Sequence, residues 1–157
     1  MASIEVSEED GVRYLHFGTH WIQGAMRIAR PWSLELEYTR DMMFPLLLHD
    51  AGTWPRSVLV IGLGAASVTR FLYRYFPRAS QTIIESDPAV IDVARASFRL
   101  PAERARLAIE VGDGADYVIA SARRFDWIVV DGFDARGRAG VLDMLPFYCN
   151  CLARLTD

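Results

Sequence analysis

The chain has 157 residues, 52% of them hydrophobic, and a formal net charge of −3 at pH 7. This length predicts one domain with a sizeable core. The 17 basic residues are all arginines and are spread along the chain, so the basic block expected of a nucleic-acid-binding surface is excluded.

Export, membrane insertion and metal binding are also disfavoured. No segment approaches the roughly 18 consecutive apolar residues of a membrane span, and the acidic start at residues 5–10 does not resemble an export signal. Cys149 and Cys151 are two positions apart on a predicted helix and point to different faces, so we expect two buried free thiols. These features predict a protein of the reducing cytoplasm that has no membrane partner and no bound metal.

The chain begins with a predicted β-hairpin region at residues 1–32. Strands at 4–6 and 12–17 flank a turn at 8–11, and residues 21–27 are compatible with a third strand. We assign the rest of the chain, 33–157, to one nucleoside-binding domain.

Residues 33–48 have the pattern of a helix. Ser33 is a candidate N-cap, and acidic residues follow in the first turns. Pro45 interrupts the apolar run, and its ring should kink or restart the helix.

Residues 57–87 are the most informative part of the chain. An apolar, β-branched strand at 58–61 enters a turn containing Gly62 and Gly64, and a helix follows. Without a Cβ, these glycines let the backbone pass close to a ligand beside free helix N–H groups. Glu85 ends a second predicted strand, where its carboxylate can accept both hydroxyls of a ribose. This order of strand, glycine turn, helix, strand and acid predicts a nucleoside-binding βαβ unit. The alternative is a plain strand-to-helix turn with Glu85 as a surface acid.

The same turn argues against hydrolysis of nucleotide triphosphates by a P-loop mechanism. Ser67 replaces the third glycine of the dinucleotide fingerprint, the turn does not end in Gly-Lys-Ser/Thr, and the chain contains no lysine. The unit therefore fits a nucleoside without requiring a pyrophosphate.

Helices and strands alternate through the rest of the chain. We predict helices at 88–97 and 115–122, strands at 107–111 and 127–130, and a last helix beginning near 143 or 145. This alternation predicts an α/β fold with a Rossmann-like, doubly wound, mainly parallel sheet, whose ligands bind outside the carboxyl ends of the strands.

Acidic residues stand at that edge after three successive strands. Glu85, Asp113 and Asp131 each follow a strand. Asp113 with Gly114 can offer a carboxylate to the exocyclic amine of adenine and an N–H to a ring nitrogen, although Asp113 alone equally fits a helix cap. Asp131 and Asp134 fit either an amine-binding site or an Asx-type turn into a glycine-rich loop.

In these features the chain resembles the spermidine synthase-like polyamine aminopropyltransferases, which are built on the fold of class I S-adenosylmethionine-dependent methyltransferases. The resemblance covers nearly the whole chain and rests on residues 21–24 (WIQG), 34–43, 61–64 (IGLG), 85–91 (ESDPAVI), 112–114 (GDG) and 131–134 (DGFD). It implies transfer of an aminopropyl group from decarboxylated S-adenosylmethionine to a polyamine such as putrescine.

The resemblance also implies roles for individual residues. Beside the glycine turn of Gly62 and Gly64, Gln23 would contact the thio-nucleoside, Glu85 the ribose, and Asp113 with Gly114 the adenine; Asp131 would accept the proton and Asp134 would bind the amine substrate. Trp21, Tyr38 and Phe133 are aromatic candidates to pack against a methylene chain or a cation, or else belong to the core.

The chain departs from the family pattern at two positions near the implied site. Ala65 stands where the family carries an acid that would hold the amino group of the transferred chain. Arg40 lies within the sequence Tyr-Thr-Arg-Asp-Met, which replaces a Tyr-Gln-Glu-Met pattern, and would repel a cationic substrate unless it is paired. Two alternatives therefore stay open: a methyltransferase that uses S-adenosylmethionine, and a non-catalytic homologue.

The number of predicted strands is a further departure. The family's sheet has seven strands, whereas this sequence accounts for four, and its C-terminal strands are missing from the pattern. An uncovered edge strand invites pairing, so we expect a homo-oligomer such as a dimer, or a poorly soluble monomer.

Overall fold

The computed structural model describes residues 3–50, 52–134 and 137–156. Its first part is a three-stranded antiparallel sheet, with strands β1 (Ile4–Glu9), β2 (Val12–Phe17) and β3 (Ile22–Arg27). Asp10 and Gly11 make the first turn with positive φ angles of 48° and 74°. The predicted hairpin and its third strand are therefore present.

The predicted helix at 33–48 is wrong in its bounds. Helix α1 covers only Glu37–Asp41, and a 3₁₀ turn follows at Phe44–Leu47. Leu36, rather than Ser33, is the N-cap, because the N–H of Ser33 closes a turn onto the carbonyl of Arg30 at 3.0 Å. Pro45 is the second residue of the 3₁₀ turn, so the expected interruption occurs in a first helical turn, where a residue without an N–H is tolerated.

A four-stranded parallel sheet forms the larger part of the chain. Its strands are β4 (Ser57–Ile61), β5 (Ser80–Glu85), β6 (Leu107–Val111) and β7 (Trp127–Val130), in the order β6-β5-β4-β7. The helices are α2 (Ser67–Tyr75), α3 (Pro88–Ser97), α4 (Gly114–Ala120) and α5 (Leu145–Leu152), with a 3₁₀ turn at Gly140–Asp143. The predicted α/β fold is thus confirmed.

The strand register brings the carboxyl ends of the four parallel strands to one edge of the sheet. Ile61 pairs with Ile84 on one side and with Val130 on the other, and Glu85 pairs with Val111, so all four strands end at one level. The chain moves from β4 to β5 and β6 in one direction and then returns to the other side of β4 with β7. This reversal creates a crevice at the carboxyl ends, which is where such sheets bind ligands.

The two faces of the sheet are covered by separate apolar clusters. Val58 and Val60 of β4 belong to one cluster, whereas Leu59 and Ile61 belong to the other, because successive side chains point to opposite faces. The first cluster includes α2 and α3, and the second includes α4 and α5. Strands β4 and β5 are therefore buried on both faces, as their apolar sequences indicate, whereas most of β6 at the sheet edge is exposed.

A third cluster joins the antiparallel sheet to the parallel one. Leu15 and Met26 pack with Ala65 and Phe98. The hydroxyl of Ser67 donates to the carbonyl of Ala25 at 3.0 Å. Strand β3 is therefore fixed against the turn that follows β4.

Buried Arg70 reinforces the same junction. Its Nε donates to the carbonyl of Pro31 at 2.6 Å, and its Nη1 donates to those of Phe98, at 2.8 Å, and Ala65. Burial, with a smaller effect of the Arg99 charge, lowers the pKa of Arg70 to about 10, so the group stays protonated at neutral pH. One guanidinium thus links three segments of the chain.

The two cysteines are free but differ in exposure. Cys151 is buried beside Phe147 on the inner face of α5, whereas Cys149 is exposed. The expectation that both are buried is wrong for Cys149, because residues two apart on a helix face opposite directions. None of the helices in the described residues is long and apolar enough to cross a membrane.

Candidate functional site

A cavity of about 580 Å³ opens at the carboxyl ends of the parallel strands. Its wall contains every residue for which the sequence predicts a binding or catalytic role: Gln23, Gly62, Gly64, Glu85, Asp113, Gly114, Asp131 and Asp134. The fold thus collects side chains from β3, from the ends of three parallel strands and from the loop after β7.

The turn after β4 needs glycine at its first position. Gly62 has a φ of +93°, and its N–H donates to the carbonyl of Ile84 at 2.8 Å. A Cβ at this position would lie 2.3 Å from the backbone oxygen of Asp131. The close approach predicted for a ligand is therefore first an approach between two backbone segments, which brings Asp131 next to the turn.

Glu85 is built into the cavity wall. The residue is 8% exposed; Oε2 accepts the N–H of Leu63 at 2.8 Å, and Oε1 accepts that of Asp87 at 3.0 Å. These bonds fix the carboxylate between the glycine turn and the start of α3. The alternative reading of Glu85 as a surface acid is therefore wrong.

Asp113 caps a helix and also lines the cavity. Its Oδ1 accepts the N–H groups of Ala115, at 2.8 Å, and Asp116, at 3.0 Å, so it is the N-cap of α4. Gly114 follows at the first helical position, where a Cβ would lie 2.2 Å from Ile61 Cγ2. Both residues nevertheless line the cavity, so the capping role holds Asp113 at the wall.

Asp131 is the carboxylate with the most altered protonation. Burial, and to a smaller extent the charge of Glu85, raises the pKa of Asp131 to about 7, while a hydrogen bond from Tyr38 opposes the rise. Burial and the neighbouring Asp131 raise the pKa of Tyr38 as well, so the phenol stays protonated and donates. Asp131 is therefore partly protonated at neutral pH, which is the range in which a carboxylate exchanges protons readily.

Asp134 is engaged by an arginine on the same loop. Its Oδ2 accepts Nε and Nη2 of Arg138 at 3.0 and 2.9 Å, and its Oδ1 accepts the backbone N–H of Arg138 at 2.9 Å. Both residues line the cavity. A side-chain-to-backbone bond across four positions and an ion pair thus coexist at this end of the site; the predicted Asx turn would instead bond the backbone two residues on.

Three aromatic side chains of the wall remain open to solvent. Trp21 is 68% exposed and Phe133 is 45% exposed; Tyr38 is 37% exposed as a whole residue, although its hydroxyl is turned inward to Asp131. The core alternative for these residues is therefore wrong. They give the outer part of the cavity apolar surface next to the carboxylates of Asp131 and Asp134.

The two departures from the family pattern are not among the described residues that line the cavity, although Ala65 directly follows Gly64 of its wall. Arg40 donates through Nη1 to the carbonyls of Leu34 and Glu35 at 3.2 and 3.3 Å, and it is not part of the described cavity lining. Ala65 is 3% exposed and faces Gly24. Hydrogen bonds to neutral carbonyls leave the charge of Arg40 in place, so the repulsion of a cationic substrate stays a prediction, with Arg40 outside the described cavity lining.

Sequence reasoning missed two side-chain contacts. Tyr38 is 93 positions from Asp131, and the sequence around neither residue predicts their hydrogen bond. Arg138 follows Asp134 by four positions, but both lie in a loop, where this spacing does not by itself predict an ion pair. Among the described residues, no group of three or more His, Cys, Asp or Glu is arranged to hold a metal ion.

Comparison with known sequences identifies the relatives of this chain. Residues 35–157 match the family model of the spermine/spermidine synthase domain. The polyamine aminopropyltransferase of Chromobacterium violaceum is 40% identical over 156 residues, which is 99% of this chain and 59% of that protein. That of Neisseria meningitidis serogroup A is 38% identical over 154 residues, or 98% and 58%. The chain thus spans about three fifths of the length of these curated relatives.

Solved structures agree on the fold. A probable spermidine synthase from Corynebacterium glutamicum gives a TM-score of 0.80 at 21% identity, covering 98% of this chain and 57% of that one. A spermidine synthase in complex with the transition-state analogue AdoDATO gives 0.67 at 24% identity, covering 98% and 55%. Human methyltransferase-like protein 13 in complex with SAH gives 0.67 at 25% identity, covering 77% and 61%.

Proposed function

The chain belongs to the spermine/spermidine synthase family, and on that premise we propose that it transfers an aminopropyl group from decarboxylated S-adenosylmethionine to a polyamine such as putrescine. The observation that carries the proposal is one cavity whose wall contains the carboxylate of Asp131 together with those of Glu85 and Asp113, which backbone N–H groups hold in place. Burial raises the pKa of Asp131 to about 7, which favours a role as proton acceptor. The polyamine aminopropyltransferases of similar sequence support it.

The donor occupies the inner half of the cavity in this proposal. Glu85 accepts the ribose hydroxyls, Asp113 and the Gly114 N–H read the adenine edge, and Gln23 contacts the thio-nucleoside. Gly62 and Gly64 keep this wall free of side chains. The spermidine synthase solved with AdoDATO and the methyltransferase-like protein solved with SAH support a donor derived from S-adenosylmethionine.

The reaction is a displacement at carbon. A neutral amine nitrogen of the acceptor attacks the propyl carbon bound to the sulfonium, the C–S bond breaks, and its electron pair returns to sulfur to give methylthioadenosine. The new N–C bond leaves a positively charged nitrogen, whose proton passes to Asp131. Alignment of nitrogen with the sulfonium carbon supplies much of the rate, and proton acceptance supplies a further part.

The acceptor occupies the outer half. Asp131 and Tyr38 receive the reacting amine, Asp134 receives a second ammonium, and the aromatic rings of Trp21 and Phe133 pack against the methylene chain. We also propose a cytoplasmic site of action, which the free Cys149 and Cys151 support.

A methyltransferase activity is the second candidate. Ala65, which is neutral and buried, favours it, because no acid at this position is available for the amino group of an aminopropyl donor. The fold shared with methyltransferase-like protein 13 is compatible with it. A non-catalytic homologue is the third.

Calorimetric titration of the chain with decarboxylated S-adenosylmethionine, S-adenosylmethionine and methylthioadenosine separates these candidates. We expect preference for the decarboxylated donor or for methylthioadenosine. Preference for S-adenosylmethionine would move the assignment to a methyltransferase, and no binding of any of the three would support a non-catalytic protein.

A transfer assay then tests the role of Asp131. Asp131→Asn should abolish most turnover while methylthioadenosine still binds, because the amide cannot accept the proton. Asp92→Asn is the matched control, since the Asp92 side chain is 78% exposed on α3 and outside the cavity lining of the described residues. Equal turnover of the two variants would contradict the role of Asp131.

A further inference from the structure

The loop after β7 places a guanidinium in the acceptor half of the cavity. Arg138 lines this cavity and holds Asp134 by two side-chain bonds of 3.0 and 2.9 Å. A third bond, from the backbone N–H of Arg138 to Oδ1 at 2.9 Å, fixes the carboxylate in the same orientation. Both side-chain nitrogens thus share Oδ2, and this ion pair lies in the part of the cavity that the proposed function gives to the acceptor.

The four carboxylates of the described cavity wall do not have equal access to such an acceptor. Glu85 is held by backbone N–H groups at the glycine turn, and Asp113 caps α4. Asp131 is hydrogen-bonded to Tyr38 and serves the reacting amine in the proposed function. Asp134 is thus the carboxylate left for a second ammonium, and Arg138 already occupies it.

We propose that Arg138 is a selectivity residue, which competes with a second ammonium group for Asp134 and so reduces the preference of the site for diamines over monoamines. This proposal rests on the proposed function and specifies the substrate property that Arg138 controls. A diamine must displace or share the guanidinium to reach Asp134, whereas a monoamine with an apolar tail need only pack against the aromatic rim.

The size of the effect follows from the exposure of the pair. The side chains of Arg138 and Asp134 are 66% and 42% exposed, so water screens their attraction. Exposed ion pairs of this kind change equilibria by about two- to fivefold. Arg138 is therefore expected to adjust selectivity without closing the site.

The test compares two amines that share a four-carbon chain, measured on the whole protein chain saturated with methylthioadenosine. Calorimetry gives the ratio of the association constants of 1,4-diaminobutane and 1-aminobutane. We expect Arg138→Gln to raise this ratio by about two- to fivefold and Asp134→Asn to lower it. In the Asp134→Asn background, Arg138→Gln should have at most half of its effect on the ratio, because the contested carboxylate is gone.

Two variants control for charge. Arg95→Gln removes a positive charge from an exposed arginine that pairs with Asp92 and Glu103 and is not part of the described cavity lining. Arg138→Lys keeps the charge but loses the planar fork, so the ratio should lie between those of the wild type and Arg138→Gln.

The outcomes separate this inference from the proposed function. An unchanged ratio in Arg138→Gln, or an equal rise in Arg95→Gln, overturns the role of Arg138 while leaving the transfer reaction in place. Binding of methylthioadenosine with no binding of either amine overturns the role of Arg138 and the amine half of the proposed function. Failure of the wild type to bind methylthioadenosine overturns the proposed donor site itself.

Discussion

The carboxylate of Asp131 has to meet two opposing requirements in the proposed reaction. Its carboxylate must be close enough to the buried strand end to feel desolvation, yet it must remain able to accept a proton. Burial raises its pKa from the ordinary 3.8 to about 7, and the Tyr38 hydrogen bond limits that rise by stabilising the charged form. Tyr38 thus keeps Asp131 available as a base near neutral pH.

Replacing Tyr38 with phenylalanine should move the titration of Asp131 upward. The wild-type rate should rise as pH increases through about 7, because only the deprotonated carboxylate accepts a proton. Tyr38→Phe removes the hydrogen bond that lowers the pKa, so the midpoint should shift to higher pH. Carbon NMR of the Asp131 carboxyl, assigned with Asp131→Asn, measures this without relying on turnover; an unchanged or lower midpoint would contradict the role of Tyr38.

The same pKa shift predicts a gain in stability when the charge is removed. A carboxyl group with a raised pKa binds more protons folded than unfolded, so its effect on stability is favourable at low pH and is lost as pH rises from about 4 to about 7. Asp131→Asn should therefore increase the free energy of unfolding by about 1–3 kcal/mol at pH 8 and change it little at pH 3. Urea unfolding at both pH values measures the difference, with exposed Asp92→Asn as the control. A variant less stable than the wild type at pH 8 would show that the charged carboxylate is a net stabilising group.

At the scale of elements, the contact of β3 with the glycine turn determines how the two sheets meet. Gly24 of β3 lies directly over Ala65, and a Cβ at position 24 would be 2.5 Å from Ala65 Cβ and 3.0 Å from its backbone nitrogen. Gln23 precedes this contact and lines the cavity. The position of Gln23 therefore depends on two small residues that face each other.

Gly24→Ala should destabilise the fold by about 1–3 kcal/mol, because the added methyl group forces the sheets apart. In the Ala65→Gly background, the same substitution should cost less, since the facing methyl group is absent. A double-mutant cycle from urea unfolding measures this coupling. Gly112→Ala is the control, because its Cβ would meet Ile84 Cγ2 only at 4.0 Å; additive losses at positions 24 and 65 would contradict the proposed contact.

Arg70 should be needed for the stability of the same junction. Arg70→Met leaves the carbonyls of Pro31, Ala65 and Phe98 without their buried donor, so the free energy of unfolding should fall by about 2–4 kcal/mol. Arg74→Met, one helical turn later at an exposed position, is the matched control. Urea unfolding compares the two variants, and equal losses would show that Arg70 contributes packing alone.

An element could be predicted from the sequence when the residues that fix its start and end lie within the element itself. Helix α3 has its signals within the segment, since Asp87 accepts the N–H of Ala89 at 2.9 Å and Pro88 begins the helix, and its predicted bounds are confirmed. The apolar runs that predict β6 and β7 likewise lie within those strands. Residues 33–48 were mispredicted because Ser33 closes a turn instead of capping a helix, a choice that local pattern does not determine.

The site divides in the same way. The acids at the strand ends could be predicted because their positions follow from the alternation of strands and helices. The pairing of Tyr38 with Asp131 depends on how the segment before β4 packs over the sheet, and such long-range contacts have no signal in a single sequence. The burial of Ala65 under Gly24 likewise became visible only in three dimensions.

At the scale of the whole molecule, one side of the parallel sheet combines a strand edge with apolar surface. Strand β7 lies at the edge of the sheet, and a single parallel bridge between Phe125 and Leu155 covers its start. On neighbouring α5, Leu145, Tyr148 and Leu152 are 75%, 47% and 68% exposed on one helical face. Exposed apolar groups beside an open edge favour association.

We therefore predict that the chain self-associates through this side at micromolar concentration. Size-exclusion chromatography with light scattering should give a mass that rises with concentration. Leu145→Glu combined with Leu152→Glu should shift the protein toward monomer, because charge on this face opposes its burial.

Leu47→Glu is the control for this last prediction, since Leu47 is 78% exposed on the 3₁₀ turn after α1, in a different part of the chain. A loss of association that is specific to α5 would assign the contact to the β7 side. Equal effects of the two changes would indicate nonspecific apolar attraction, and a monomeric wild type would contradict self-association altogether.

Because the cavity opens at the carboxyl end of β7, a contact on this side would also bring a second copy near the rim that holds Asp131 and Asp134. Self-association should then change the binding of amines at the outer half of the cavity more than that of methylthioadenosine at the inner half.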